Sequence, residues 1–250
     1  SKVPVLTGIN FKLEPGQGLG VIGPSASGKS TLARLLVGIW LPQKGSVRLD
    51  GATFDQWNPN ELGPHIGYLP QDVEMFDGTI GENIGRFRPD ATAEDIVLAA
   101  RRAAVHNMVL RMPDGYDTRI GEGGTVLSGG QVQRIALARA LFGDPCLVVM
   151  DEPNANLDTE GDAALSAAIA DLRKREKTVV VMAHRPSAIA AVDQLLMLQD
   201  GKQAAFGPKD EVIAEVTKRP NQKQTSQNAA HKTVKQPAQR QASRQQRLST

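Results

Sequence analysis

Apolar positions follow two patterns along the 250 residues. Short β-branched runs between Gly-rich turns fill residues 5–50: Val5-Leu6, Ile9 to Leu13, the turn Glu14-Pro-Gly-Gln17, Leu19 to Ile22, and Val47 to Leu49 ahead of Asp50-Gly51. This spacing predicts a strand-rich start with one helix beginning at Lys29. Farther on, Leu147-Val-Val-Met150 and Val179-Val-Val-Met182 are apolar throughout, and each follows helical sequence. Central parallel strands buried on both faces have that composition. From about Phe76 to Gly143, Ala, Arg and Leu recur at helical spacing, as in Ala93 to Leu110 and Gln131 to Phe142. A mostly helical subdomain inserted into an α/β body is the expectation. No apolar run approaches the roughly 18 to 20 residues of a membrane span; the longest, such as Thr178 to Ala183, suit single buried strands.

Composition narrows the class. The length suits one large α/β domain or two small ones, and a chain of this size buries roughly three-quarters of its unfolded surface. Ten of the 250 residues are aromatic, so Val, Leu, Ile and Ala must build the core. That favours a packed α/β enzyme over a module that stacks sugars or bases. Cys146 stands alone, which excludes a disulfide framework and fits a reducing compartment. His65, His106, His184 and His231 have no zinc spacing with it. The net charge of +2 hides a division: from Lys218 onward there are eight Lys or Arg and no Asp or Glu, leaving 21 basic against 27 acidic residues in 1–217. After Pro220 the chain turns to Gln, Asn, Ser, Lys and Arg, which predicts a basic, disordered tail over 218–250. The opening Ser1-Lys-Val-Pro-Val-Leu6 has no initiator Met and no signal-peptide core, so it reads as the start of a piece cut from a longer protein.

Gly23-Pro24-Ser25-Ala26-Ser27-Gly28-Lys29-Ser30 fits the phosphate-loop pattern, with apolar Leu19 to Ile22 before it and helical Thr31 to Val37 after it. Such a loop wraps phosphates with backbone N–H groups at a helix N-terminus. Its Lys meets the β- and γ-phosphates, and its Ser hydroxyl binds Mg²⁺. Leu147-Val-Val-Met-Asp151-Glu152 places two acids at the end of a buried strand, where open α/β sheets gather their ligand chemistry. Asp151 can hold Mg²⁺, and Glu152 can orient or deprotonate an attacking water. Gly16-Gln-Gly18-Leu-Gly20, an incomplete dinucleotide fingerprint, reads as a β-turn.

Leu127-Ser128-Gly129-Gly130-Gln131 selects among P-loop NTPases. Here the sequence resembles the nucleotide-binding domains of ABC transporters over about residues 3–215. The resemblance rests on six ordered motifs: the P-loop, Gln71 in Tyr68-Leu-Pro-Gln71, the signature 127–131, Asp151-Glu152, Asn156-Leu-Asp158, and His184 in Ala183-His-Arg185. It implies a P-loop α/β core with an N-terminal antiparallel β subdomain and an inserted α-helical signature subdomain, spanning 1–217. The ligand it implies is ATP with Mg²⁺. Gly23 to Thr31 would bind nucleotide, and Ser30, Gln71 and Asp151 would hold the metal. Lys29, Gln71, Glu152 and His184 would serve catalysis, while Ser128 to Gln131 and Asp158 would serve a second domain's nucleotide in a head-to-tail homodimer.

Gly121-Glu122-Gly-Gly124 and Phe76-Asp-Gly-Thr-Ile80-Gly-Glu-Asn-Ile84 look like exporter segments, the first reading the coupling helices of a membrane domain. Gly23 to Arg34, Asn154 to Asp158 and Phe206 to Val212 resemble the protease and lipase branch of bacterial type I secretion exporters. That resemblance implies a transmembrane domain fused upstream, a membrane fusion protein, an outer-membrane channel, a secreted protein substrate, and a place on the cytoplasmic face of the inner membrane. Ala26 and Asn154 depart from the commonest choices of the family, and the expected adenine-stacking aromatic would precede residue 1. The rival reading is a soluble ABC-type ATPase acting on nucleic acid or ribosomes. Only 99 positions separate Lys29 from Ser128, too few for the long coiled coil of repair members, and there is one cassette where translation factors carry two. The basic tail could bind phosphate but has no aromatic residue for base stacking.

Overall fold

The computed structural model describes residues 4–121, 123–183 and 189–218. The chain divides into two units, Ser1–Val212 and Ile213–Thr250, and the described part of the second is the end of the last helix. In the first, β1 (Gly18–Ile22) leads into α1 (Lys29–Leu36); the pair β2 (Arg48–Leu49) and β3 (Ala52–Thr53) and the short α2 (Pro59–Leu62) precede β4 (Ile66–Leu69). The inserted part holds β5 (Gly78–Thr79), α3 (Ile80–Ile84), α4 (Ala93–Arg102), α5 (His106–Leu110), β6 (Arg119–Ile120) and α6 (Gly129–Leu141). The chain continues through β7 (Leu147–Asp151), α7 (Thr159–Lys174), β8 (Thr178–Met182), β9 (Gln194–Gln199), β10 (Lys202–Pro208) and α8 (Lys209–Lys218).

Six strands form the main sheet in the order β10-β9-β1-β8-β7-β4. All neighbours pair in parallel except β9 with β10. Alternation of two along the strands sorts the core. Leu19, Val21, Val149, Val180, Met182, Leu196 and Leu198 cluster with Leu32 and Ala33 of α1 on one side. The intervening Val148, Met150, Val179, Val181 and Leu195 are equally buried. Both faces are therefore covered, as the unbroken apolar runs predicted, and each such side chain contributes about 1.5–3 kcal/mol of burial.

Three expectations are corrected. Residues 9–13 form no strand: the Asn10 amide donates to the Gln203 side chain at 2.9 Å, and Ile9, Phe11 and Leu13 pack on the core cluster instead. The antiparallel pairing near the start is limited to β2 with β3. The helical run 93–110 is broken into α4 and α5 because Ala104 adopts φ 52°, which an α-helix cannot accommodate. Cys146 packs half-buried against the core cluster, with its thiol directed at the His65 carbonyl at 3.3 Å.

Because β1, β4, β7 and β8 run the same way, the loops that follow them share one edge of the sheet. The phosphate loop, Gln71, and the Asp151-Glu152 pair all emerge there, where open α/β sheets bind ligands.

Candidate active site

The loop 23–28 is shaped for an anion. Gly28 is the N-cap of α1 at φ 99° and ψ 12°. At Gly23, a Cβ would run into the Leu198 carbonyl and lie 2.8 Å from Ser27 Oγ, so only glycine fits between them. Ala26 also takes the left-handed region, at φ 62°. Pro24, Ser25 and Ala26 are exposed, Gly23, Gly28, Ser30 and Thr31 are partly buried, and Ser27 is buried with its Oγ unpartnered. Lys29 folds back into this loop, its ammonium donating to the carbonyls of Gly23 at 3.0 Å and Pro24 at 3.1 Å. Burial pushes its pKa below the ordinary lysine value, against the pull of Glu152 and Asp151.

Asp151 ends β7 at 2% exposure, and its Oδ1 is buried without a partner. Burial and the Glu152 charge raise its pKa; a hydrogen bond from Ser30 and the charges of Arg34 and Lys29 oppose them. A buried carboxylate with a free oxygen beside a serine hydroxyl is a donor set for a hard cation. Among the described residues no cluster of three His, Cys, Asp or Glu could hold a metal alone. Glu152 stands at φ 50°, anchored by its amide to the Met182 carbonyl at 3.0 Å. A non-glycine residue there costs on the order of 1–3 kcal/mol and persists where its surroundings over-determine it. Gln71, exposed after β4, reaches Glu152 Oε2 with its amide at 3.4 Å. Residues 81 positions apart are thus joined on one strand edge.

Ser128 to Gln131 and Asp158 form a second group. Ser128 caps α6 in a reciprocal box: its Oγ accepts from the Gln131 amide at 3.3 Å, and its own amide donates to the Gln131 side chain at 2.8 Å. Asp158 caps α7, accepting from the Gly161 amide at 2.8 Å, and accepts from Arg134 of α6 at 3.1 Å. Gln133 Nε2 donates to the Pro153 carbonyl at 3.0 Å, and a Cβ on Gly130 would lie 3.2 Å from the Asn156 carbonyl. Motif 127–131 and motif 156–158 are therefore braced to each other, while Ser128, Gly129, Asn156 and Asp158 stay exposed. Among the described residues no hydrogen bond or ion pair joins this group to residues 23–31.

Arg134 and Gln133 were not singled out from sequence. The available signal was polar side chains directly ahead of the apolar stretch Ile135 to Ala138. His184, Glu122 and the basic tail lie outside the described residues. His65 is exposed, and His106 meets the Tyr116 hydroxyl at 2.9 Å as a structural contact.

The ABC transporter family model matches residues 6–155. The chain is 60% identical over 218 residues to a type I secretion system ATP-binding protein, PrsD, of Rhizobium meliloti, covering 87% of this chain and 37% of that protein. It is 40% identical over 212 residues to the mycobactin import ATP-binding/permease protein IrtA of Mycolicibacterium thermoresistibile, covering 85% and 23%. A structure of a bacterial Atm1-family ABC exporter with ATP bound superposes with a TM-score of 0.77 at 34% identity, over 84% of this chain and 37% of that one. The chain thus spans well under half the length of these relatives, and no helix among the described residues is long and apolar enough to cross a membrane. With the phosphate loop, the acid pair and the signature helix carried on this sheet, the chain belongs to the ABC transporter family and is an ATPase domain of that family.

Proposed function

We propose that the domain binds ATP with Mg²⁺ and hydrolyses it to drive a type I secretion exporter, moving proteins across the bacterial inner membrane from its cytoplasmic face. The observation that carries the chemistry is the strand edge where Asp151 keeps a buried, unpartnered oxygen beside Ser30, Lys29 and Glu152. The secretion assignment draws on the 60% identity to a type I secretion protein, and the matched relatives are transporters, which favours export over the nucleic-acid reading. A relative named for import at 40% identity implies that the direction of transport is decided outside this domain.

The backbone amides of Gly23 to Thr31 hold the phosphates at the start of α1, and Lys29 exchanges loop carbonyls for phosphate oxygens. Ser30, Gln71 and Asp151 would hold Mg²⁺, which when bound offsets charge on the phosphates. Glu152 orients the attacking water and accepts its proton, with Gln71 fixing its carboxylate. His184 holds the water in line by resemblance to the family. Ser128 to Gln131 present the N-terminus of α6, the positive end of its dipole, to nucleotide held by a second copy, with Asp158 beside it. A fused membrane domain, a membrane fusion protein, an outer-membrane channel and a secreted protein complete the assembly.

The composite site is testable on the isolated chain. Turnover per chain should rise with protein concentration, and Glu152→Gln should retain ATP and accumulate as a dimer in size-exclusion chromatography. Turnover strictly proportional to concentration down to nanomolar protein would overturn the composite site. Loss of ATP binding in Glu152→Gln would overturn the role of Glu152.

A further inference from the structure

Two cations act on Asp151, and they are held in different ways. Lys29 rests on the Gly23 and Pro24 carbonyls inside the phosphate loop. Arg34 comes from behind. It lies one turn along α1 from Ser30, so both side chains leave the helix on one face. Val149 of β7 clusters with Leu32 and Ala33 of α1, and Asp151, two residues on, projects from the same side of the strand. Tyr68 pairs in register with Val149 and packs on the same cluster. Ser30, Arg34, Tyr68 and Asp151 therefore share the layer between α1 and the sheet. Burial and the Asp151 charge raise the Tyr68 pKa, and Arg34 opposes both; burial raises that of Asp151, and Arg34 again acts the other way. Among the described residues no carboxylate forms a contact ion pair with Arg34, so its charge is left to answer Asp151 at longer range. The guanidinium is pinned on its other side. It lies 4.8 Å from the centre of the Trp40 ring, and the Trp40 amide donates to the Arg34 carbonyl at 3.2 Å. Trp40 is 45% exposed, a large ring kept partly in water with a cation against its face.

A fixed charge in this layer stabilises the buried carboxylate of the empty chain and repels any divalent cation that approaches it. Lys29 can leave for phosphate, whereas Arg34 is held by Trp40 and stays. We propose that Arg34 is a positioning residue for the metal: held against Trp40, it is the internal counter-ion of Asp151 and opposes a divalent cation that arrives without nucleotide, so that Mg²⁺ enters with the triphosphate. The negative charge of the triphosphate outweighs one guanidinium, so the opposition ends when nucleotide is bound. The inference rests on the reading above that Ser30 and Asp151 hold Mg²⁺.

The test uses the full chain without nucleotide and Mn²⁺ as the probe, its binding read by electron paramagnetic resonance. Arg34→Met should bind Mn²⁺ at least about fivefold more tightly than the native chain, the scale of one unit charge removed from the neighbourhood of a divalent ion. Arg34→Lys should stay near the native affinity because it keeps the charge. Trp40→Leu should fall between, because it frees the guanidinium without removing it. Equal or weaker Mn²⁺ binding by Arg34→Met, no binding by it at all, or an Arg34→Lys chain that matches Arg34→Met would each overturn the proposal. If Arg34→Met does not fold, Trp40→Leu, changed at an exposed position, decides by the same comparison, and an affinity at or below the native one overturns it. ATP affinity measured by calorimetry with and without Mg²⁺ keeps the two readings apart. If Mg²⁺ tightens ATP binding in the native chain and not in Asp151→Asn, the metal site stands, and an unchanged Mn²⁺ affinity sinks the Arg34 inference alone. If Asp151→Asn keeps the Mg²⁺ effect, the metal reading itself falls.

Discussion

The strand edge and the α6–α7 group differ in how far their polar atoms are satisfied within the chain. At the strand edge, Ser27 Oγ and Asp151 Oδ1 are buried without partners, and Glu152 is held in a costly conformation. In the second group, Ser128, Gln131 and Asp158 stay accessible and bond within the chain, and one buried atom, Arg134 Nε, lacks a partner. A buried polar atom without a partner costs about 1–3 kcal/mol, so the first region is built to gain from a ligand. The second is braced mostly by its own side chains and can be offered as a unit to another molecule.

Asp151→Asn should break this contrast most strongly. It removes the charge proposed to hold Mg²⁺, so turnover should fall at least about 1,000-fold, by several kcal/mol of lost transition-state stabilisation. The empty chain should become more stable at neutral pH. A carboxylate whose folded pKa is raised by burial favours the fold below its unfolded value and loses that contribution as pH rises through the folded one. The native and Asn chains should therefore converge in stability in acid and separate toward neutrality, measured by denaturant titration across pH. Lys29→Met comes next. Loss of a charge-assisted contact to phosphate should weaken ATP binding about 10- to 100-fold by calorimetry.

Arg134→Met tests the second group. It should leave ATP binding to the strand edge unchanged while lowering concentration-dependent turnover several-fold. The effect is bounded because Asp158 is mostly in water, where such pairs contribute up to about 1 kcal/mol. Equal damage to ATP binding would show that the groups are not separate. Ala26→Gly should relieve a left-handed alanine and raise stability by up to about 1 kcal/mol, seen as a higher melting temperature.

Asp144 provides the smallest effect and a control remote from both groups. Burial acts to raise its pKa, but Lys177, Arg102 and Arg175 outweigh it and leave the carboxyl below its ordinary value. Arg102 at 2.9 Å, Lys177 at 2.9 Å and Arg175 converge on it. Its stabilisation is present above the unfolded pKa and lost as pH falls through the folded one. Asp144→Asn should thus be slightly less stable than the native chain at neutral pH, with the difference vanishing below about pH 4.

Legibility in the sequence followed locality. Residues 23–30 and 147–152 carry their chemistry in contiguous stretches, so strand, loop and helix could be read together. The pairing of Gln71 with Glu152 depends on β4 lying beside β7, which no local pattern encodes; only the family resemblance linked them. The Arg134–Asp158 pair depends in the same way on how α6 meets α7. The break at Ala104 was hidden because alanine is the strongest helix former, and a left-handed alanine has no signal in composition. Strand β9 escaped notice although Leu195, Leu196 and Leu198 are buried, because Gln194 and Gln199 frame it with polar ends.

The carbonyls of Gly23 and Pro24 that hold the Lys29 ammonium have a consequence for how the reaction begins. The cation is stored inside the loop, so nucleotide arrival is a change of acceptor, from neutral oxygen to charged oxygen, with little water to strip away. Release of the two carbonyls is a side-chain motion far faster than mixing, so capture should be a single phase whose rate rises with nucleotide concentration.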